Sequence, residues 1–170
     1  MKIAVIGYSG SGKSTLARKL SVYYHIPVLH LDTVHHLPGW QARDLPSEQQ
    51  IVGGFLEQNE NWVIDGNYSK LFYERRMEEA DTIIMLLFPP LKSLFRAYKR
   101  YRMFHNKTRP DMAEGCQEKF DWAFAKWILW EGRSKVAKAR YAAVAAKYSS
   151  KVVILKNQKQ LQGYIDSTFA

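Results

Sequence analysis

Residues Gly7-Tyr8-Ser9-Gly10-Ser11-Gly12-Lys13-Ser14-Thr15 carry the strongest chemical signal in the sequence. They satisfy the spacing G-x-x-x-x-G-K-[ST], which ordinary composition produces by chance in under about 1% of chains this long. Each residue type has a physical reason. Glycines reach backbone dihedrals that other residues resist, so that successive amide N–H groups converge on an anion. A helix beginning at Lys13 would point the positive end of its dipole at the same place. The Lys13 ammonium would bridge β- and γ-phosphates, and the Ser14 hydroxyl would ligate Mg²⁺. The stretch therefore reads as a phosphate-binding loop, with Gly7, Ser9, Gly10, Ser11, Gly12, Lys13, Ser14 and Thr15 as nucleotide-binding residues and ATP and Mg²⁺ as cofactors.

Two carboxylates stand where such a loop would need partners. Apolar runs end at His30-Leu31-Asp32-Thr33 and at Ile64-Asp65-Gly66-Asn67-Tyr68. Ligands of open parallel sheets bind at the carboxyl edge of the strands, so residues just after each run face the site. Asp65 would hold Mg²⁺, since a carboxylate closing an apolar strand is costly to bury unless paired or facing a metal. Asp32 would orient, or take a proton from, a substrate hydroxyl. A helix N-cap or a turn is the alternative role for either aspartate. Trp40 and Tyr68 would lie on the same acceptor side, where either ring can stack on a substrate.

These residues require particular elements behind them. Residues 2–6, 27–31, 62–65, 82–87 and 151–155 read as buried strands: short, apolar, and bounded by Gly, Pro, Asp or Asn. Helical patterns cover 13–24, 47–60, 68–79, 91–104, 118–130, 134–148 and 160–169. Alternation of this kind predicts a parallel sheet with helices on both faces. The expected fold is α/β: a P-loop NTPase three-layer α/β/α sandwich, with a five-stranded parallel sheet and a helical basic lid. A length of 170 residues is that of one such domain.

The net charge of +9 is unevenly placed. Residues 88–151 hold 15 Lys and Arg against five acidic residues, a net +10, while the rest of the chain is near neutral. Lys92, Arg96, Lys99, Arg100, Arg102, Lys107 and Arg109 follow one another without an intervening acid. Solvated helix faces usually mix both signs, so this run predicts a polyanionic partner. Phosphoryl transfer supplies one: its transition state spreads negative charge, and a lid closing over it excludes water. Arg96 and Arg100 lie one turn apart, and 106–111 would break the helix and carry Arg109 inward. Residues 100–118 are the candidate lid, and Lys13, Arg96, Arg100 and Arg109 the catalytic cations. The alternative is a nucleic-acid-binding module that uses the loop as a nucleotide switch, with Tyr98, Tyr101 and Phe104 interleaved among the cations for base stacking.

Taken together, these motifs resemble the adenylate-kinase-like branch of P-loop kinases. Val63-Ile64-Asp65-Gly66 is similar to that family's strand-end Asp-Gly, and Arg96-Ala97-Tyr98-Lys99-Arg100 to the Arg-x-x-x-Arg leading into its lid. The resemblance implies that Val153-Ile154-Leu155-Lys156-Asn157 packs against adenine, which adds Asn157 to the nucleotide-binding set. More closely, WVIDGNYSKLFYERR (62–76) and KTRPDMAEGCQEKF (107–120) resemble bacterial proteins labelled DNA topology modulation proteins. That likeness implies a nucleotide kinase, and the label implies a link to DNA supercoiling. The chain departs from adenylate kinases after Asp65-Gly66, where Asn67-Tyr68-Ser69 replaces Phe-Pro-Arg. Arg75 and Arg76 are then the candidates for an acceptor phosphate. The lid offers Asp121, Lys126 and Arg133 in place of that family's second arginine cluster. His30-x-Asp32 is similar to the Asp-x-Asp of shikimate-type kinases, which implies a hydroxyl acceptor.

Other features bound the reading. The apolar runs are too short for a spanning helix or a signal peptide, so a cytoplasmic monomer without membrane partners is expected. An Asn-Lys-x-Asp stretch for GTP is lacking; Asn157-Gln158-Lys159-Gln160 has no carboxylate there. Trp62 is expected in the core, and Trp122, Trp127 and Trp130 are expected to pack against the sheet. His35 and His36 lack partners at metal spacing, and Cys116 reads as a buried thiol.

Overall fold

The computed structural model describes residues 1–105, 107–109 and 111–169. Asn106 and Pro110, part of the expected helix-breaking stretch, lie outside the described residues. Strand β1 (Lys2–Gly7) is buried along almost its whole length, as befits an apolar run covered on both faces. It sits at the centre of a five-stranded parallel sheet with β2 (Val28–His30), β5 (Trp62–Asp65), β6 (Thr82–Leu86) and β7 (Val152–Leu155). The order across the sheet is β2-β5-β1-β6-β7. Two-residue strands β3 (His36–Leu37) and β4 (Gln41–Ala42) form a separate antiparallel hairpin.

Alternation along the strands divides the core in two. Ile3, Val5, Val63, Ile84 and Leu86 pack with Leu16, Ala17 and Leu20 of α1 (Lys13–Tyr24) and with Leu161 of α8 (Gln158–Thr168). Ala4, Ile6, Ile64, Ile83 and Met85 face α3 (Leu45–Gln58), α4 (Tyr73–Glu79) and α7 (Lys135–Lys147). The five parallel strands thus lie between two helical layers, as the strand–helix alternation predicts. Short α2 (Leu31–His35) follows β2, and α5 (Pro90–Met103) and α6 (Trp122–Leu129) follow β6. Among the described residues no helix is long and apolar enough to cross a membrane.

Four expectations are corrected here. The helix expected over 68–79 begins only at Tyr73, because the Arg76 guanidinium takes the carbonyls of Gly66, Tyr68 and Leu71 and holds that stretch as a loop. The helix expected over 118–130 begins at Trp122, capped by Asp121, whose carboxylate accepts from the Phe124 N–H at 2.8 Å. The candidate lid, 100–118, is helical only as far as Met103. Beyond it the described residues up to 118 form no helix, and Thr108 and Gln117 pair in an antiparallel bridge. Finally, Trp122, Trp127 and Trp130 are exposed and do not pack on the sheet. Helix α6 rests on α5 past the sheet's end, and it buries Ala125 and Ile128 instead.

Gly7 ends β1 with φ +141°, and a Cβ there would stand 2.3 Å from the Leu86 carbonyl oxygen on the neighbouring strand. Gly7→Ala is expected to cost at least ~2 kcal/mol, from strain and from a clash with unyielding backbone. Gly163→Ala, inside α8 with open space around it, is expected to stabilise by about 0.5–1 kcal/mol. Urea denaturation midpoints of the two variants check both signs.

Candidate functional site

The loop from Gly7 to Ser14 joins the end of β1 to the start of α1, with Gly12 as the N-cap at φ +94°. Its shape is held from within. The Tyr8 carbonyl accepts from the Ser11 hydroxyl at 2.7 Å and from the Lys13 ammonium at 3.1 Å. It is also held from outside by Asn67, whose amide nitrogen donates to the Gly7 carbonyl at 2.7 Å and whose amide oxygen accepts from the Gly7 N–H at 3.1 Å. A Cβ on Gly12 would meet the Arg96 guanidinium at 2.4 Å, so the bare glycine is what lets Arg96 lie over the loop.

Asp65 closes β5 beside this loop, and its carboxylate is buried. One oxygen accepts from the Ser14 hydroxyl at 2.8 Å, and the other meets His30 Nδ1 at 2.5 Å. The register Val5↔Asp65 and His30↔Asp65 puts these groups side by side at the carboxyl edge of three adjacent strands. Asp32, in the first turn of α2, accepts from the Tyr68 hydroxyl at 2.8 Å. Burial, then the neighbouring Asp32 charge and this bond, push the Tyr68 phenol far above its usual range, so it stays a donor.

Cations converge from the other side. Burial pulls the Lys13 ammonium below its ordinary value; Asp32 and Asp65 oppose that shift, and Arg100 and Arg109 add to it. Arg100, Arg109 and the two aspartates thus act electrostatically on one lysine. Arg100 Nε donates to Glu118 at 2.7 Å, Arg109 Nε lies 2.5 Å from the other Glu118 oxygen, and Arg109 Nη1 donates to Asp111 at 2.8 Å. Glu118 is itself buried, so one carboxylate holds two guanidiniums together. Burial first, and then the proximity of Arg109, lowers the Arg100 pKa, while Glu118 opposes the shift.

The irregular segment after α5 is latched to the β3–β4 hairpin. The Trp40 indole N–H donates to the Gln117 carbonyl at 3.0 Å, and the buried Cys116 thiol donates to the Leu37 carbonyl at 3.2 Å. Lys119 lies 5.4 Å over the Trp40 ring. From α6, the Trp127 indole N–H reaches the Ser9 hydroxyl at 3.2 Å. Beside the loop a cavity of about 100 Å³ is lined by Gly12, Thr15, Arg96, Gln158 and Leu161 among others, and Arg96 is hydrogen-bonded to Gln158 across it. A wider depression of about 430 Å³, lined by Arg18, Lys19, Val22, Tyr23 and Phe169, lies on the outer side of α1.

The sequence-derived set thus divides. Gly7, Ser9, Gly10, Ser11, Gly12, Lys13, Ser14, Thr15, Asp32, Asp65, Arg96, Arg100 and Arg109 come together around the loop. Tyr68 reaches it through Asp32, whereas Trp40 packs on His36 and bonds Gln117. Arg75 and Arg76 do not join it. Arg75 pairs with Glu79 at 2.6 Å, and the wholly buried Arg76 spends its donors on three carbonyls, its pKa lowered by burial to about 10. Asn157 caps α8 by accepting from the Gln160 N–H at 2.9 Å, and Gln158 is the side chain that reaches Arg96. Of the substitutes offered by the lid, Arg133 ties Ile128, Phe88 and Ser93 together, and Lys126 pairs with Glu131 at 3.0 Å. Sequence reasoning assigns no site role to Asn67, Glu118 or Trp127 and marks His30 only through its spacing to Asp32; adjacency to Asp32 and Asp65 is the signal for His30 and Asn67, and the other two have none.

Burial opposes protonation of His30, but the hydrogen bond and charge of Asp65, with Asp111 and Asp32 behind it, raise its pKa above the ordinary value. A raised native pKa gives a contribution to stability that is complete below the unfolded value near 6.5 and is lost as pH rises through the native one. His36 has the opposite sign, since burial and then His35 lower its pKa. His30→Gln is therefore expected to flatten the loss of stability above pH about 6.5. Urea midpoints of both proteins across the neutral range measure that difference.

No protein-family model matches the chain, and no curated protein matches it. Among solved structures, an uncharacterized protein from Eubacterium ventriosum ATCC 27560 is similar over 99% of this chain and 98% of that one, with 17% sequence identity and a TM-score of 0.48.

Proposed function

We propose that this protein is an ATP- and Mg²⁺-dependent kinase of the P-loop type that phosphorylates a small acceptor. The observation that carries the reading is the glycine-rich loop at the carboxyl edge of β1, with Lys13 on the Tyr8 carbonyl, Asp65 on the Ser14 hydroxyl and the Arg96 guanidinium against Gly12. A glycine-rich loop leading into a helix N-terminus suits the phosphates of a nucleotide donor. Ser14 and Asp65 together supply one hydroxyl and one carboxylate. That fits Mg²⁺, which takes one or two protein carboxylates and completes its shell with water and phosphate oxygens. Bound there, the ion neutralises charge on the phosphates. The cavity beside Gly12, Thr15, Arg96 and Gln158 is the place for the donor's base, with the flat Arg96 guanidinium as its wall.

The residues then divide the work. Lys13 would bridge the β- and γ-phosphates and stabilise the γ-phosphoryl group as it leaves the β-phosphate for the acceptor, and Arg100 and Arg109 exchange Glu118 for the phosphoryl oxygens as negative charge develops. Asp32, held by the Tyr68 hydroxyl, receives the acceptor's proton as the acceptor oxygen forms its bond to phosphorus and the bond to the departing diphosphate breaks. With Arg75 and Arg76 engaged elsewhere, the acceptor side favours a hydroxyl over a phosphate as the attacking group. The latch of Trp40 and Cys116 keeps water out of the closed cleft.

Screening nucleosides, nucleotides and hydroxylated metabolites for acceptor-dependent ADP release tests the reading. With an acceptor in hand, Lys13→Ala is expected to lower kcat by at least about a hundredfold, as removal of a charge-stabilising donor does. Asp32→Asn should lower kcat while leaving ATP binding intact. Full transfer by Lys13→Ala would overturn the assignment. Without any acceptor, Mg²⁺-ATP should alter the tryptophan fluorescence through the Trp127 contact with Ser9, and Trp127→Phe should remove that change.

A further inference from the structure

The basic excess between residues 88 and 151 is larger than the nucleotide site uses. Arg96, Arg100, Arg109 and Arg133 turn inward to partners around the loop and α5. A second set faces out. Helix α5 buries Ser93 and Ala97 against Gly10 and presents Leu91, Lys92, Phe95, Tyr98, Lys99, Arg102 and Met103 to solvent. Leu91 is 72% exposed and Phe95 66%. Spacing of i, i+4, i+7 and i+11 aligns Leu91, Phe95, Tyr98 and Arg102 in one stripe, with Lys92 and Lys99 beside it. The surface continues onto α6. Tyr98 packs edge-on against Phe120 at 5.3 Å, and Trp122 and Trp130 are 73% and 59% exposed. Helix α5 contains no acid. Of the nearby carboxylates on α6 and its flanks, Asp121 caps the helix and Glu131 is paired with Lys126.

We infer that this α5–α6 surface binds single-stranded nucleic acid, as a function separate from the proposed kinase site and not dependent on it. Exposed aromatic rings interleaved with cations are what a single strand needs: rings for base stacking, ammonium and guanidinium groups for the phosphates. Three other occupants fit less well. A second copy would press one strongly basic surface against another. A membrane surface helix keeps its cations on the face away from lipid, whereas Arg102 continues the apolar stripe and Lys92 and Lys99 adjoin it. Duplex DNA would use the cations but leave the rings without bases to stack on. The trio apparent in the sequence, Tyr98, Tyr101 and Phe104, is only partly the working set. Tyr101 and Phe104 are half-buried, and Phe95, Trp122 and Trp130 take their place.

Fluorescence anisotropy with a labelled oligothymidylate of about 20 nucleotides tests the inference. Binding is expected without ATP, with log Kobs falling against log salt at a slope of about −2, as three outward cations predict at ~0.7 per phosphate contact. Phe95→Ala with Tyr98→Ala should weaken binding at least about tenfold, and Lys92→Gln with Lys99→Gln should flatten the salt slope. All four positions are exposed, so unchanged thermal melting and unchanged Mg²⁺-ATP binding confirm the fold. The inference is overturned if the oligonucleotide fails to bind at low salt, or if the aromatic variants bind as well as the parent. It is equally overturned if duplex or phosphatidylserine-containing vesicles bind as tightly as the single strand, or if the aromatic variants abolish self-association in sedimentation runs instead. Loss of ATP turnover in Lys13→Ala with oligonucleotide binding intact would separate the two functions.

Discussion

The buried carboxylate of Asp65 is the constraint from which the site's geometry descends. A carboxylate inside the sheet is costly unless both oxygens are satisfied. Here one accepts from the Ser14 hydroxyl of α1 and the other meets His30 at the end of β2. Three elements that follow three different strands are thereby tied at one point. The parallel register makes this possible, because Val5, His30 and Asp65 stand at the same level across β1, β2 and β5. Had β5 slipped by one residue, the carboxylate would face the opposite side of the sheet and the tie would be lost.

A second layer of contacts fixes what Asp65 does not reach. Among the described residues the buried Arg76 has no carboxylate partner, yet its three carbonyl bonds hold the loop that carries Asn67 and Tyr68. Asn67 then braces Gly7, and Tyr68 braces Asp32. A residue far from any proposed phosphate thus sets the glycine loop and the proposed base at once. Glu118 plays the corresponding part on the other wall, neutralising Arg100 and Arg109 where they would otherwise repel each other and Lys13. The walls differ in kind. The strand-end wall is sheet edge, whereas on the opposing wall, among the described residues, Trp40 bonds Gln117 and Cys116 bonds Leu37 of the hairpin.

Much of this was legible in the sequence for physical reasons. Short apolar runs bounded by Gly, Asp and Pro identified the five parallel strands, because strands covered on both faces leave no room for polar residues. The loop spacing and the strand-end aspartates were readable because local backbone chemistry demands those types. What failed was any inference that depended on which way a side chain turns. Arg75 and Arg76 are adjacent in sequence, yet one lies at the surface with Glu79 and the other is sealed in the core. Periodicity carried the helix over Tyr68 because it cannot register carbonyls committed to a guanidinium. The tryptophans of α6 obeyed the same limit. A stripe of aromatic residues says that something will cover it, and not that the cover belongs to the chain itself.

That distinction also resolves the charge. A net +10 in residues 88–151 looks like one property when counted, but the fold sorts it by helix face. Arg96 and Arg100, one turn apart on α5, lie on the loop side with desolvated guanidiniums. Lys92, Lys99 and Arg102, interleaved with them in sequence, point the other way. Inward positions are arginines, whose planar forks hold several partners at once and stay charged when buried; two of the three outward ones are lysines, which remain hydrated. A lid needing only catalytic charge would have no use for the outward set, and cations scattered for solubility would not be ranked along exposed rings. The two faces of one helix thus match the two anions proposed for them: the compact phosphates at the loop, and the extended single strand inferred outside it.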